Sequence, residues 1–213
     1  MKKVAILGSG KVGETLADGF LKHGYAAMRA SREPQKLEAW KASAKGEASI
    51  GTFADAAKWG EMIVIAVKGS AAEAAVEQAG VANLAGKVVI DTTNPIGEEP
   101  PDHGVIRYFT SMNESLMERL QKKAPQAHFV KAFNSVGAPF MVNPALKGSM
   151  FICGNDAGAK EQVTEVLTKF GWETVDMGGV EGARPLESLC VLWCIPGMLR
   201  NDWMHVLKYV RAG

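Results

Sequence analysis

Short apolar runs alternate with amphipathic stretches along most of the chain. Val4-Ala5-Ile6-Leu7 is continuous and apolar, as a strand covered on both faces is, and beyond it Val12, Leu16 and Phe20 recur at helical spacing. Gly24 follows His23 where that helix should end. The pattern then predicts a strand from Tyr25 to Ala30, a mostly polar helix from Pro34 to Lys45 and a short strand from Ala48 to Ile50. After the segment 53–59, Met62-Ile63-Val64-Ile65-Ala66-Val67 reads as a central strand buried on both faces, and Val88-Val89-Ile90-Asp91 and Phe129-Val130-Lys131-Ala132 repeat it. Two further strands, 149–153 and 172–175, flank a helix with Val163, Val166, Leu167 and Phe170 on one face and should extend the same sheet. Strands and helices in alternation give an α/β chain of the Rossmann type: a doubly wound, mostly parallel sheet with two extra strands and a short C-terminal helical segment. Residues 1–180 would form the dinucleotide-binding domain with its sheet extension, and residues 181–213 a helical segment packed on it.

The most informative turn joins the first strand to the first helix, as Gly8-Ser9-Gly10-Lys11-Val12-Gly13. Gly8 permits the tight turn, Gly10 lets the backbone approach a pyrophosphate, and Gly13 thins the helix face that packs on the strand. The helix amino end then offers unpaired N–H groups and a partial positive charge to a diphosphate. At the end of the second strand, where NAD enzymes usually carry a carboxylate for the ribose hydroxyls, this chain has Ala30-Ser31-Arg32, with Lys36 a turn later. Ser31, Arg32 and Lys36 suit a 2′-phosphate, and two charge-assisted bonds of about 1.5–3 kcal/mol each imply roughly a hundredfold preference for NADP over NAD. Glu33 keeps the reverse assignment open, as a ribose ligand for NAD. In an open parallel sheet ligands bind beyond the carboxyl ends of the strands, so the loops after Val67, Asp91 and Ala132, including Lys68, should line the nicotinamide half.

Composition narrows the class. With 213 residues, 47% hydrophobic content and a net charge of +1, the chain can bury a substantial core and carries no basic block for nucleic acid. It has no long apolar run or leader pattern, so a cytoplasmic protein without membrane contact is expected. Cys153, Cys190 and Cys194 have neither disulfide nor zinc spacing and read as buried thiols, the last two sharing a helix face; no metal site is expected. Residues 97–108, rich in Pro and acids, read as a surface loop. Near the end Leu186, Leu189, Val191, Leu192, Trp193 and Ile195 are dense, and Pro196-Gly197 should divide two terminal helices, the second running from Met198 to Tyr209. This apolar excess could cap the core, form a dimer interface or floor a pocket for a flat aromatic substrate.

The glycine-rich turn, Ser31-Arg32 with Lys36, Asp91-Thr92-Thr93-Asn94-Pro95, Val130-Lys131-Ala132-Phe133-Asn134-Ser135 and Cys153-Gly154-Asn155-Asp156 together resemble the coenzyme F420-dependent NADP reductase family over nearly the whole chain. Ala183-Arg184-Pro185-Leu186-Glu187 and Leu192-Trp193 resemble the family's closing helices. The resemblance implies a homodimeric oxidoreductase in which a hydride passes between NADPH and the deazaflavin ring of F420. By it Ser9, Lys11 and Val12 would touch the pyrophosphate, Ser31, Arg32 and Lys36 the 2′-phosphate, and Asn94, Pro95, Asn134 and Ala138 the nicotinamide. Transfer between two rings depends chiefly on positioning, so no essential acid or base is expected, and Asn134 and Ser135 are candidates only for orienting the second ring. Asn134 stands where archaeal members have histidine, and Lys68-Gly69 where they commonly have Pro-Trp. The soluble domain of the ferric metalloreductases resembles the same pattern. FMN, FAD or a small quinone is therefore an alternative acceptor; a NADP-binding sensor without turnover and a dehydrogenase of a small hydroxy acid are alternatives of other classes.

Overall fold

The computed structural model describes residues 1–212; Gly213, the last residue of the expected helical segment, lies outside them. Six parallel strands form the main sheet: β1 (Lys3–Leu7), β2 (Ala26–Ala30), β3 (Ala48–Gly51), β4 (Met62–Ile65), β5 (Val88–Asp91) and β6 (His128–Lys131). Their spatial order is β3-β2-β1-β4-β5-β6, which reverses direction between β1 and β4 and opens a crevice there, beyond the strand ends. The apolar runs forced this arrangement, because alternate side chains of each strand enter different cores. Val4, Ile6, Val64, Ile90 and Val130 pack with Leu16 and Phe20 of α1 (Lys11–Lys22) and Val163, Val166 and Leu167 of α7 (Ala157–Lys169). Ala5, Leu7, Ile63, Ile65, Val89 and Phe129 pack on the other face against α3 (Phe53–Trp59), α4 (Ala72–Ala79) and α6 (Leu116–Lys123). The short α2 (Glu38–Ser43), preceded by a single 3₁₀ turn, and α5 (Val81–Leu84) complete the connections.

Two expectations fail. The later strands, β7 (Ser149–Ile152) and β8 (Glu173–Asp176), do not extend the main sheet but pair with each other in a two-stranded parallel sheet. They meet β6 through one antiparallel bridge, Lys131 with Cys153, in which Lys131 N donates to Cys153 O at 3.0 Å. Gly154 follows directly, and a Cβ there would stand 2.5 Å from the Phe129 carbonyl oxygen. The two strands thus approach at a point and diverge; an apolar alternation specifies that a strand is covered, not which neighbour covers it.

The terminal segment also differs from the two helices expected. A single helix, α8 (Ala183–Arg200), runs through Pro196, and residues 201–212 carry no helix. Pro196 removes one bond, to the Leu192 carbonyl, in the final turns where few bonds remain to be lost. The actual stop is Asn201 in the left-handed conformation, φ 54°, whose N–H donates to Gly197 O at 2.9 Å. The chain then folds back: the Trp203 ring lies where a Cβ on Gly197 would project, Trp193 Nε1 donates to His205 O at 3.1 Å, and Ser149 N donates to Leu207 O at 2.9 Å.

Candidate active site

A continuous cleft runs along the carboxyl ends of β1, β2, β4 and β5. One half, of about 410 Å³, is bounded by the glycine-rich turn, Ser31, Arg32 and Lys36; the other, of about 700 Å³, by Val12, Val67, Lys68, Thr92, Thr93 and Asn94. The halves share Gly10, Ala66, Val67, Lys68 and Ser70.

Two glycines of the turn are required by protein and one by space left for something else. A Cβ on Gly8, whose φ is +154°, would overlap the Ala66 carbonyl, and one on Gly13 would lie 2.7 Å from Gly8 O, so the tight turn and the close helix–strand contact both exist as the motif implies. A Cβ on Gly10 meets nothing within 4 Å. Gly10 is the N-cap of α1 and supplies no side-chain cap, so the first-turn N–H groups remain available to a ligand.

At the far end of the first half Ser31 is buried and its Oγ accepts from Glu33 N at 3.2 Å, while Lys36 Nζ lies 2.8 Å from Glu33 Oε1 on an exposed edge. Glu33 thus serves as the lysine's counter-ion. The arginine next to these residues in sequence behaves otherwise: Arg29, on β2, turns inward and reaches Ser9 O and Gly10 O. Nothing in the glycine motif singled it out; its only signal was a charge within an otherwise apolar strand.

At the other end two asparagines lock each other. Asn94 Nδ2 donates to Asn134 O at 2.8 Å, and Asn134 Nδ2 donates to Asn94 Oδ1 at 3.1 Å and to Leu186 O of α8 at 2.7 Å. Phe133, just before Asn134, adopts φ 62°, a conformation unusual for a bulky residue and held here by its burial and by a contact from Phe133 N to Met150 Sδ. Gly8, Ser9, Gly10, Lys11, Val12, Ser31, Arg32, Lys36, Val67, Lys68 and Asn94 therefore meet in one cleft. Gly13 stands behind the turn; Pro95, Ala132 and Ser135 are buried, Ala138 is half-buried against the core, and none of these, nor Asn134, lines either half.

Beneath this end lies a charged network that sequence reasoning missed. Lys131, fully buried, places Nζ 2.6 Å from Asp91 Oδ2, 2.8 Å from Glu187 Oε1 and 2.9 Å from the Thr93 carbonyl oxygen to which it donates. Asp91 Oδ1 accepts from the Thr93 hydroxyl and N–H, and Glu187, from α8, accepts from Leu116 N and Met117 N at the start of α6. Burial opposes the Lys131 charge, but the two carboxylates outweigh it and hold its pKa above the usual lysine value. Burial pushes Glu187 up, with Lys131 opposing. The network ties β5, β6, α6 and α8 together directly behind Thr93-Asn94. Its signal in sequence was a charge at the end of each of two apolar runs, Val-Val-Ile-Asp91 and Phe-Val-Lys131.

The cysteines stand apart from the cleft. Cys190 and Cys194 share a face of α8 with sulfurs 4.0 Å apart; hydrogen bonding from Cys194, then burial, pushes the Cys190 thiol up, and burial pushes Cys153 up to about 12. All three are free and buried, as their spacing suggested. Among the described residues no cluster of three His, Cys, Asp or Glu side chains could hold a metal, and no helix is long and apolar enough to cross a membrane.

This geometry has close counterparts. Residues 3–95 match the family described as NADP oxidoreductase, coenzyme F420-dependent. A crystal structure from Arthrobacter sp. FB24, described as a candidate F420-dependent NADP reductase, superposes with a TM-score of 0.92 at 30% identity, covering 99% of this chain and 100% of that one. The chain belongs to the coenzyme F420-dependent NADP oxidoreductase family. That family is one of NADP-dependent oxidoreductases, and the fold of this chain is Rossmann-like. Rat metalloreductase STEAP3 is 29% identical over 203 residues, which are 92% of this chain but 39% of that protein, so the chain spans about two fifths of this curated relative. An imine reductase of Streptomyces aurantiacus shares the fold, with a TM-score of 0.68 at 18% identity over 93% of this chain and 63% of its own.

Proposed function

We propose that the cleft binds NADPH in an extended pose and that the chain passes its hydride to a flavin-like acceptor, coenzyme F420 first among them. The observation that carries this reading is Gly10: its missing side chain faces open space at an uncapped helix amino end, midway between a basic edge and a polar pair. In this pose the first-turn N–H groups of α1 hold the diphosphate, Ser31, Arg32 and Lys36 hold the 2′-phosphate, and Val12, Val67 and Asn94 border the nicotinamide. Pro95, Ala132, Asn134, Ser135 and Ala138 act from behind, with the Asn94–Asn134 lock fixing the wall against which the ring rests. Bound NADPH supplies the hydride, and the chain's contribution is to align the rings and exclude water, with no side chain required to move a proton.

A second acceptor class is favoured by particular residues. Lys68-Gly69 and Asn134 stand at the acceptor end in place of the Pro-Trp and histidine expected of F420 users, and the likeness to a metalloreductase extends over most of this chain. FMN, FAD or a quinone would then accept the hydride, and a ferric chelate would be reduced one electron at a time only by a flavin so reduced. The deciding experiment is anaerobic oxidation of NADPH by the purified protein with F420, FMN, FAD, a small quinone and ferric chelates supplied separately. Turnover with F420 alone establishes the first reading, and turnover with flavin or quinone alone, or with chelate through added flavin, the second. Tight NADPH binding without turnover on any acceptor refutes both in favour of an untested substrate or a sensor.

The same reading treats residues 1–180 as the nucleotide-binding body and the segment from 181 onward as its closure, working as a homodimer in the cytoplasm. The dimer is supported by the outer face of α8, where Leu192 and Leu199 are 56% and 54% exposed on a helix apolar nearly all round. Three unpaired cysteines suit a reducing compartment.

A further inference from the structure

Arg29 is, with Lys131, one of two cationic side chains buried among the described residues: it is 2% exposed on β2, beneath the amino end of α1. Its Nη2 donates to Ser9 O at 2.9 Å and, more weakly, to Gly10 O at 3.3 Å, and its guanidinium lies over the Trp40 ring, 5.0 Å from the centroid. Its ion partner is poor. Glu14 Oε2 is 3.9 Å from Nη1, and the other oxygen of that carboxylate is held by Lys11 at 2.9 Å. Asp18, the other nearby carboxylate, accepts from Trp40 Nε1 at 2.7 Å, and Arg29 Nε has no hydrogen-bond partner. A buried cation matched mainly to neutral carbonyls is costly unless an anion arrives nearby.

The two carbonyls give the arrangement a direction. In a trans peptide the C=O and the N–H point to opposite sides of the plane. Drawing Ser9 O and Gly10 O toward Arg29 therefore turns Gly10 N–H and Lys11 N–H away from it, toward the side where Gly10 has open space. We propose that Arg29 is a positioning residue for cofactor binding: it sets the glycine-rich turn so that two amides face the diphosphate, and its charge is matched when that diphosphate binds. This rests on the placement of NADPH proposed above. It separates the basic residues by task, because Arg32 and Lys36 read the 2′-phosphate that only NADPH has, whereas Arg29 serves the diphosphate common to NADPH and NADH.

The test is direct binding of NADPH, NADH and 2′-AMP to wild type, Arg29→Met and Arg29→Lys, with the unliganded melting temperature of each. Arg29→Met retains packing on Trp40 and should weaken NADPH and NADH alike, by about tenfold or more, leaving their ratio and the affinity for 2′-AMP unchanged. Arg29→Lys keeps the charge without the fork, should fall between the two, and carries the test if the methionine variant does not fold. Unchanged dissociation constants in a folded variant, whatever its melting temperature, would overturn the proposal by making Arg29 a packing residue. Weakening of NADPH alone, or of 2′-AMP along with it, would overturn it by making Arg29 a 2′-phosphate ligand. If wild type binds no NADPH, the reading of the cleft itself fails and this inference with it.

Discussion

Replacing Lys131 by methionine should be the most damaging single change to a charged residue in this protein. The methionine fills most of the volume but leaves Asp91 and Glu187, both essentially inaccessible to water, facing each other without the cation that lies 2.6 and 2.8 Å from them, and removes the hydrogen bond to Thr93 O. Breaking a buried ion pair by removing one partner costs about 3–5 kcal/mol. Against a total stability of about 5–15 kcal/mol that is a large fraction, equivalent to a fall in melting temperature of about 6–20 °C for a chain of this size. The sign of the pH dependence follows from Glu187. Its carboxyl is already pushed up by burial, with Lys131 opposing, so without Lys131 its folded pKa rises further above the unfolded value of 4.5. A raised folded pKa contributes stability that is present below 4.5 and lost as the pH rises through the folded value. The deficit of the variant should therefore be greatest near pH 8 and shrink toward pH 5, and adding Glu187→Gln should recover part of it by removing one stranded charge. Urea unfolding of the four members of this double-mutant cycle at pH 5 and 8 measures each quantity. A deficit below about 1 kcal/mol, the range of an exposed pair, or one independent of pH, would refute the claim that the network is charged and dry.

Three other outcomes are expected. Arg32→Ala with Lys36→Ala should raise the dissociation constant for NADPH by about tenfold or more and leave that for NADH nearly unchanged, measured by nucleotide titration; equal loss for both would contradict the assignment. Glu118 is held at about 2, chiefly by Arg184, whose Nε donates to it at 3.0 Å, and this depressed pKa gives stability present above 4.5 that is lost as the pH falls toward 2. Glu118→Gln should therefore cost about 1 kcal/mol at pH 7, discounted for the exposure of the pair, and progressively less in urea melts between pH 4.5 and pH 2. A Cβ on Gly69 would overlap the Asn94 carbonyl, so Gly69→Ala should displace Asn94 and lower kcat about tenfold or more while the dissociation constant for 2′-AMP stays unchanged.

The half of the cleft formed by the glycine-rich turn and the basic edge was legible in the sequence because its parts are local. The turn from Gly8 to Gly13 and the Ser31-Arg32 pair each lie at the end of one strand, and once both strands are placed in a parallel sheet their carboxyl ends are neighbours. Periodicity likewise determined which faces of α1 and α7 and which residues of β1, β4, β5 and β6 are buried. It could not determine that Asp91 and Glu187, distant in sequence, both come within 3 Å of Lys131, nor that Arg29 bends back under the turn its own strand adjoins. The separate pairing of β7 with β8 and the passage of α8 through Pro196 were beyond it for a related reason. A hydrophobic pattern reports that a surface is covered, and Pro-Gly reports a local preference of a few kcal/mol, but which partner covers the surface and whether that preference is overridden are decided by contacts summed over the whole fold. The sequence thus determined the glycine-rich turn and the basic edge of the cleft by short-range geometry, whereas the wall at the Asn94 end is set by long-range charge pairing that only the assembled tertiary structure brings together.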